Sequence, residues 1–327
     1  QRDRNSLVVV AMVLGLLMAS LDNTITSAAI NQIIKDIGGF EKMSWVFTGY
    51  VLASTSTMLI FGKLSDLFGR KLFYLIGIGA FLTGSALCGT ASSMEQLILF
   101  RFIQGIGAGS LFPISFTIIF TLFSGEKAAK MSGIFAGIFG LSSVAGPQLG
   151  TFISEYLSWR WCFYVNLPIG ILSFVILLFA LKETRSNKKV SVDYLGTVLL
   201  IMTTISFMLG LEWGGKEYAW SSWEIITLFS ISLVGGGLFI YVENRVNEPI
   251  LPLELFKKRL VLSVSITCLC QGAIMFAAIT YLPIYSVAVL GQSNSNSMLT
   301  PLMFSLMLGA VISGAFLINH LSFRTIM

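Results

Sequence analysis

The chain has 327 residues, of which 55% are hydrophobic and only 11% charged, with a mean hydropathy of +0.83. A soluble domain carries about 25% charged residues, so this composition is that of a membrane protein and leaves little chain for a soluble domain. The net charge of +5 is too thinly spread for a nucleic-acid surface, and no nucleic-acid partner is expected.

A bilayer core takes about 20 apolar residues of helix to cross, and such stretches recur at 7–34, 44–64, 72–92, 95–122, 129–153, 161–181, 192–213, 222–243, 260–289 and 296–318. The pattern predicts ten membrane helices. The first is too long for a signal peptide, carries Asp22 and lacks a clear small-residue cleavage site, so it reads as retained. The chain starts at Gln1 without an initiator Met and stops at Met327 just past a span, which reads as a piece of a longer protein. Lysine and arginine accumulate in short cytoplasmic loops. With the N-terminus inside, sixteen of the basic residues fall on the cytoplasmic side, only Lys35, Lys42, Arg160 and Lys216 fall outside, and Arg101 lies within a span.

Asp22 and Arg101 are the charges buried in the first and fourth spans. Asp22 lies roughly 22 Å up its helix from Leu7, and Arg101 roughly 9 Å down from Glu95, which puts both at the same level of a core about 30 Å thick. A charge at such depth costs about 2.5–3.5 kcal/mol on insertion scales, so each needs a partner and they suit each other. Two readings stand: a static ion pair, or a pair whose protonation at Asp22 couples transport to protons. Gln104, one turn from Arg101, is a candidate substrate contact.

Between the second and third spans, "GKLSDLFGRK" sets Gly62, Asp66, Gly69, Arg70 and Lys71 in a tight basic turn. Gly62 and Gly69 permit close backbone approach, while Asp66 and Arg70 stand one helical turn apart. Arg70 and Lys71 can reach headgroups or helix C-termini, so the turn can hold one closed conformation. In the fifth span Gly133, Ala136, Gly137, Gly140, Ser143 and Pro147 form one stripe, with Gly150 beside it. Small residues let helices pack closely in lipid, and Pro147 removes a backbone bond and permits a bend.

Beyond the sixth span comes the basic loop "LKETRSNKKV", and two further spans lead to "ENRVNEPILPLELFKKR" before the ninth. Trp159, Trp161, Trp213, Trp220 and Trp223 cluster near the outer boundary, most of them as interfacial belt residues. The ninth span, "QGAIMFAAITYLPIY", holds Gln271 among apolar neighbours. "GLEWGGKE" has the skeleton of a phosphate loop, but Glu217 stands where Ser or Thr is needed. Four cysteines and one histidine suggest neither a metal site nor a cofactor.

The 62–71 turn resembles the signature loop of the major facilitator superfamily, G-x-L-[SA]-D-x-x-G-R-[KR], with every specified position filled. "RFIQGIGAG" in the fourth span is similar to that family's R-x-x-x-G-x-G-[AG] pattern. "GIFGLSSVAGPQLG" in the fifth is similar to its antiporter motif, here including Gly137, Gly146, Pro147 and Gly150. "LDNTITSAAI" and "SWRWCFYVNLPIG" further resemble the fourteen-span drug:proton antiporters of the QacA/EmrB-like group. Ser142 and Thr151 stand where that motif has glycines. "SGAFLINHLSFR", after the tenth span, is a faint echo of the signature loop.

The resemblance implies an all-α integral membrane protein of the major facilitator fold, with about ten of fourteen helices visible. Residues 1–181 would form the N-terminal six-helix bundle, 182–259 two linker helices with their flanking loops, and 260–327 the first two helices of a second bundle. It implies export of lipophilic drugs or toxic organic compounds in exchange for protons, by alternating access, across the plasma membrane, with lipid around it. Gln271 would then face the cavity as a second candidate substrate contact. The alternatives are a specific metabolite, lipid or tetracycline-like compound as cargo, or a non-transporting receptor on the same fold.

Overall fold

The structure, a computed structural model, describes residues 2–182, 193–246, 249–291 and 299–312. Its main elements among these residues are all helices: α1 (Arg2–Ile37), α2 (Met43–Phe68), α3 (Arg70–Thr90), α4 (Met94–Leu122), α5 (Glu126–Tyr156), α6 (Trp161–Tyr164), α7 (Asn166–Ala180), α8 (Tyr194–Trp213), α9 (Trp223–Glu243), α10 (Arg259–Ala288) and α11 (Leu299–Ile312). Short 3-10 turns at Phe40–Lys42 and Leu253–Lys257 precede α2 and α10. Among the described residues, seven helical stretches are long and apolar enough to cross a membrane: those of α1, α2, α3, α4, α6 with α7, α8 and α9.

The sixth predicted span is present as one membrane-length stretch, Trp161–Ala180, in which a single turn residue, Val165, with helical backbone separates α6 from α7. Pro168 stands in the first turn of α7, where its missing N–H removes no bond within that helix. The last predicted span continues into residues outside those described, as does the loop echo after it.

α1 packs against α5, α7 and α4, while α4 also packs against α2 and α3, and α3 against α7. The six predicted spans up to residue 180 thus close on one another, with α1 and α4 in contact at the centre. Two apolar clusters fill this bundle. One, around Met12, Tyr74, Phe81, Ile118 and Phe135, occupies the end that carries the 62–71 turn. The other, around Ile33, Met94, Trp159 and Phe163, occupies the opposite end. α8 and α9 pair with each other, and α8 lies against α2.

The approach of α4 to its neighbours explains the glycines of "RFIQGIGAG". A Cβ on Gly105 would sit 2.5 Å from the Tyr50 carbonyl oxygen of α2, and one on Gly107 would sit 2.5 Å from the Gly77 carbonyl oxygen of α3. Both contacts are to backbone, which cannot rotate away, so only a hydrogen fits there.

α5 uses a different face from the one its small-residue stripe suggests. Phe135, Ser142, Gly146, Gly150 and Ile153 are its buried side, and Cβ atoms on Gly146 and Gly150 would fall onto Thr24 and Ile25 of α1. The stripe with Gly137, Gly140 and Pro147 is only half-buried and lies on the other side of the helix. The other helix in extensive contact with α5 is α11. Ser142, where the resemblance led us to expect glycine, bonds Oγ to Oγ with Ser20 at 2.7 Å, and its carbonyl accepts from Thr24 Oγ1 at 3.2 Å. Ser142→Ala is expected to lower stability by about 1 kcal/mol, the net worth of one such hydrogen bond, read as a lowered thermal midpoint in detergent.

Candidate functional site

Between the two apolar clusters lies a buried polar network. Asp22 of α1 and Arg101 of α4, both 0% exposed, form an ion pair through Asp22 Oδ2 and Arg101 Nη1. Asp22 Oδ1 also accepts from Gln104 Nε2 at 2.8 Å and from Asn166 Nδ2 at 2.9 Å. The carboxylate is therefore met by donors from α4 and α7, while it is carried on α1.

The guanidinium has further partners of its own. Its Nη1 donates to Gln104 Oε1 at 2.8 Å, Nη2 to Asn23 Oδ1 at 2.9 Å, and Nε to the Val46 carbonyl at 3.2 Å. Its carbon stands 4.2 Å from the centroid of the Tyr50 ring, within range of a cation–π contact. A planar fork with five N–H groups suits this many-sided cradle where a lysine would not. If Asp22 were neutral, Arg101 would still be held by α2, by Asn23 and by Gln104.

The network reaches α3 through Asn166, whose Nδ2 also lies 3.1 Å from Ser85 Oγ, which donates to the Phe163 carbonyl at 2.7 Å. Asn166 and Ser85 were missed in the sequence. The signal was there: an asparagine in an apolar span needs a buried partner. Gln104, proposed as a substrate contact, is fully buried with both amide atoms engaged by the pair. The Tyr50 hydroxyl and Asn166 Oδ1 are buried with no hydrogen-bond partner among the described residues.

At the end of the bundle with the 62–71 turn, Arg70 bonds Asp66 Oδ1 through Nε at 3.1 Å and Nη2 at 2.9 Å. Arg70 Nη1 also meets Thr121 Oγ1 near the end of α4, and Lys71 Nζ donates to the Leu178 carbonyl in the last turn of α7 at 2.6 Å. The turn thereby ties α2 and α3 to the C-terminal ends of two other helices, where cations are favoured. Gly69, at φ 121° between α2 and α3, adopts backbone that other residues rarely take. Gly62 does not act as proposed: it lies inside α2, and a Cβ there would meet only Pro113 at 3.9 Å.

The opposite end is tied in a second way. Asp36 accepts from Trp159 Nε1 at 2.9 Å and Arg160 Nη1 at 2.8 Å, and Arg160 Nη2 reaches the Ala91 carbonyl at 3.1 Å. Trp159 is only 4% exposed and belongs to the core rather than to an interfacial belt. Trp161, Trp220 and Trp223 are exposed, as belt residues would be. Gln271 is exposed on α10, whose main contacts among the described residues are with the Leu253–Lys257 turn and α11. The four cysteines, Cys88, Cys162, Cys268 and Cys270, are free thiols.

Comparison with known proteins places the chain in a family. The profile described as Major Facilitator Superfamily matches residues 12–327. Multidrug resistance protein 3 of Bacillus subtilis (strain 168) is 44% identical over 322 residues, covering 98% of this chain and 63% of that protein. Multidrug transporter protein MdtP of the same organism is 39% identical, covering 96% of this chain and 58% of that protein. The chain thus spans about six-tenths of the length of these curated relatives. The proton:xylose symporter XylE, solved with 6-bromo-6-deoxy-D-glucose, aligns over 95% of this chain and 69% of its own with a TM-score of 0.58 at 14% identity. An auto-inhibited POT family peptide transporter aligns over 75% of this chain and 53% of its own, with a TM-score of 0.52 at 16% identity. At such identities these two structures speak to the fold alone.

Proposed function

Because the chain belongs to the major facilitator superfamily and is a multi-pass membrane protein, we propose that it is part of a proton-driven exporter of lipophilic drugs or other small toxic organic compounds. The observation that carries this reading is the fully buried Asp22–Arg101 pair, joined by donors from a third helix, at the contact of α1 and α4. A static clamp needs only two matched charges. Here one charge keeps most of its partners when the other is neutralised, which is what a proton-operated release requires. The relatives named as multidrug proteins support drugs as the cargo over a single metabolite.

In this reading a proton binds the Asp22 carboxylate, and the charge attraction that ties α1 to α4 is lost while Arg101 stays in its cradle. The helices are then free to shift against each other, and alternating access follows from rocking one bundle against another. The full protein is of the fourteen-span type. Residues 1–181 supply its first bundle, 182–259 a linker pair, and 260–327 the start of the second bundle, which uses Gln271 toward the substrate. Its N-terminus lies on the cytoplasmic side of the plasma membrane, as the bias of basic residues to the 62–71 side favours. The stripe of α5 with Gly137 and Pro147 serves the interface between bundles.

The 62–71 turn acts as the cytoplasmic latch, with Asp66 holding Arg70 across Gly69. Asp66→Asn in the full-length protein is expected to slow transport severalfold while leaving substrate affinity unchanged, because the turn is far from the buried pair. Transport and equilibrium binding measured side by side check this; unaltered transport would remove the latch from the account.

A further inference from the structure

The end of the bundle with the basic turn also holds a cavity of about 260 Å³, between the start of α1, the end of α4 and the residues just after α7. Arg4, Arg70 and Lys182 line it together with an apolar floor that includes Val8, Ile118 and Leu181. Neither Arg4 nor Lys182 has an ion-pair partner among the described residues, whereas Arg70 is already engaged by Asp66. The transport reading gives this cavity no role.

Three cations around one cavity exclude a cationic occupant and favour an anion. The apolar floor, which includes the buried Val8 and Leu181, adds a second requirement, since a free inorganic anion gains nothing from it. At about 260 Å³ the cavity falls just below the roughly 300–1,000 Å³ of small-molecule sites, enough for a headgroup phosphate and the first part of an acyl chain. Its position fits that occupant. Arg4 lies just before the apolar run of α1, and Lys182 just after that of α7, so these two charges sit at the level of the lipid headgroups. In sequence Lys182 is followed by Arg185, Lys188 and Lys189, with Glu183 as the acidic residue of that stretch.

We infer that this cavity is a binding site for the phosphate of an anionic membrane phospholipid, held by Arg4 and Lys182 with its chain against Val8, Ile118 and Leu181. The inference does not rest on the drug-export reading and holds or fails apart from it.

Native mass spectrometry of the full-length protein, titrated with phosphatidylglycerol, phosphatidylcholine or inorganic phosphate, tests it. One phosphatidylglycerol is expected to bind more tightly than any phosphatidylcholine. The Arg4→Gln/Lys182→Gln double variant should weaken that binding about twenty-five-fold, at about fivefold per basic residue near an anionic headgroup. Arg4→Lys/Lys182→Arg should retain it. Both changes lie at the rim, so each variant is first checked for an unchanged thermal midpoint. Equal binding of phosphatidylcholine, or undiminished phosphatidylglycerol in the neutral variant, would overturn the site. Displacement of the lipid by inorganic phosphate would make it a free-anion site and overturn the lipid assignment.

Discussion

Arg101→Ala is expected to cost about 3–5 kcal/mol of stability, the range for removing one partner of a buried ion pair. The substitution leaves the Asp22 carboxylate fully buried with only Gln104 and Asn166 as donors. It also removes the Arg101 bonds to the Asn23 side chain and the Val46 carbonyl and empties the face of the Tyr50 ring. Little folded protein should be recovered in detergent. Arg101→Lys should recover part of the loss, since a single ammonium cannot fill a cradle shaped for a planar fork. The double variant Asp22→Asn/Arg101→Gln should be more stable than Arg101→Ala, because no unpaired charge is left inside. Thermal unfolding of the set provides the comparison, and equal midpoints for all three would mean that the pair is not buried as described.

Gly107→Val is expected to have the second largest effect. The new Cβ would sit 2.5 Å from the Gly77 carbonyl oxygen and 2.8 Å from Phe81 Cα, so α3 and α4 would have to separate. Overpacking costs about 1–3 kcal/mol and occasionally more, and here the intruder meets backbone that cannot rotate away. Because α4 carries Arg101, the displacement also pulls the guanidinium away from Asp22. The contrast is Gly79→Val, in the same turn of α3, where a Cβ meets nothing within 4 Å. Yield and thermal midpoint should fall for the first variant and stay near wild type for the second.

Much of this arrangement was legible in the sequence, for physical reasons. Helix positions follow from apolar run length, because the bilayer imposes one length on every crossing. The meeting of Asp22 and Arg101 followed from helix rise and from the small or polar helix faces that carry them, since charges at one depth have few other places to go. What the sequence hid depends on rotation and on partners distant in the chain. The small-residue stripe of α5 looked like its tightest interface, yet the face on α1 is built from Ser142, Gly146 and Gly150. Composition alone does not say which of two small faces meets which neighbour. Trp159 looked like a belt residue by position, but Asp36, more than a hundred residues earlier, satisfies its indole N–H and lets the ring enter the core. Asn166 passed unnoticed because its partners Asp22 and Ser85 come from two different helices.

Proton coupling at Asp22 is the centre of the account, and proton release in everted membrane vesicles tests it most directly. Vesicles carrying the full-length protein are acidified inside, a pH-sensitive dye reports the gradient, and a lipophilic cationic drug is added. Wild-type protein should discharge protons on drug addition. Asp22→Asn, which fixes the neutral form of the carboxyl, should bind the same drug with unchanged affinity and discharge none. Undiminished drug-induced proton release in the Asp22→Asn protein would contradict the account.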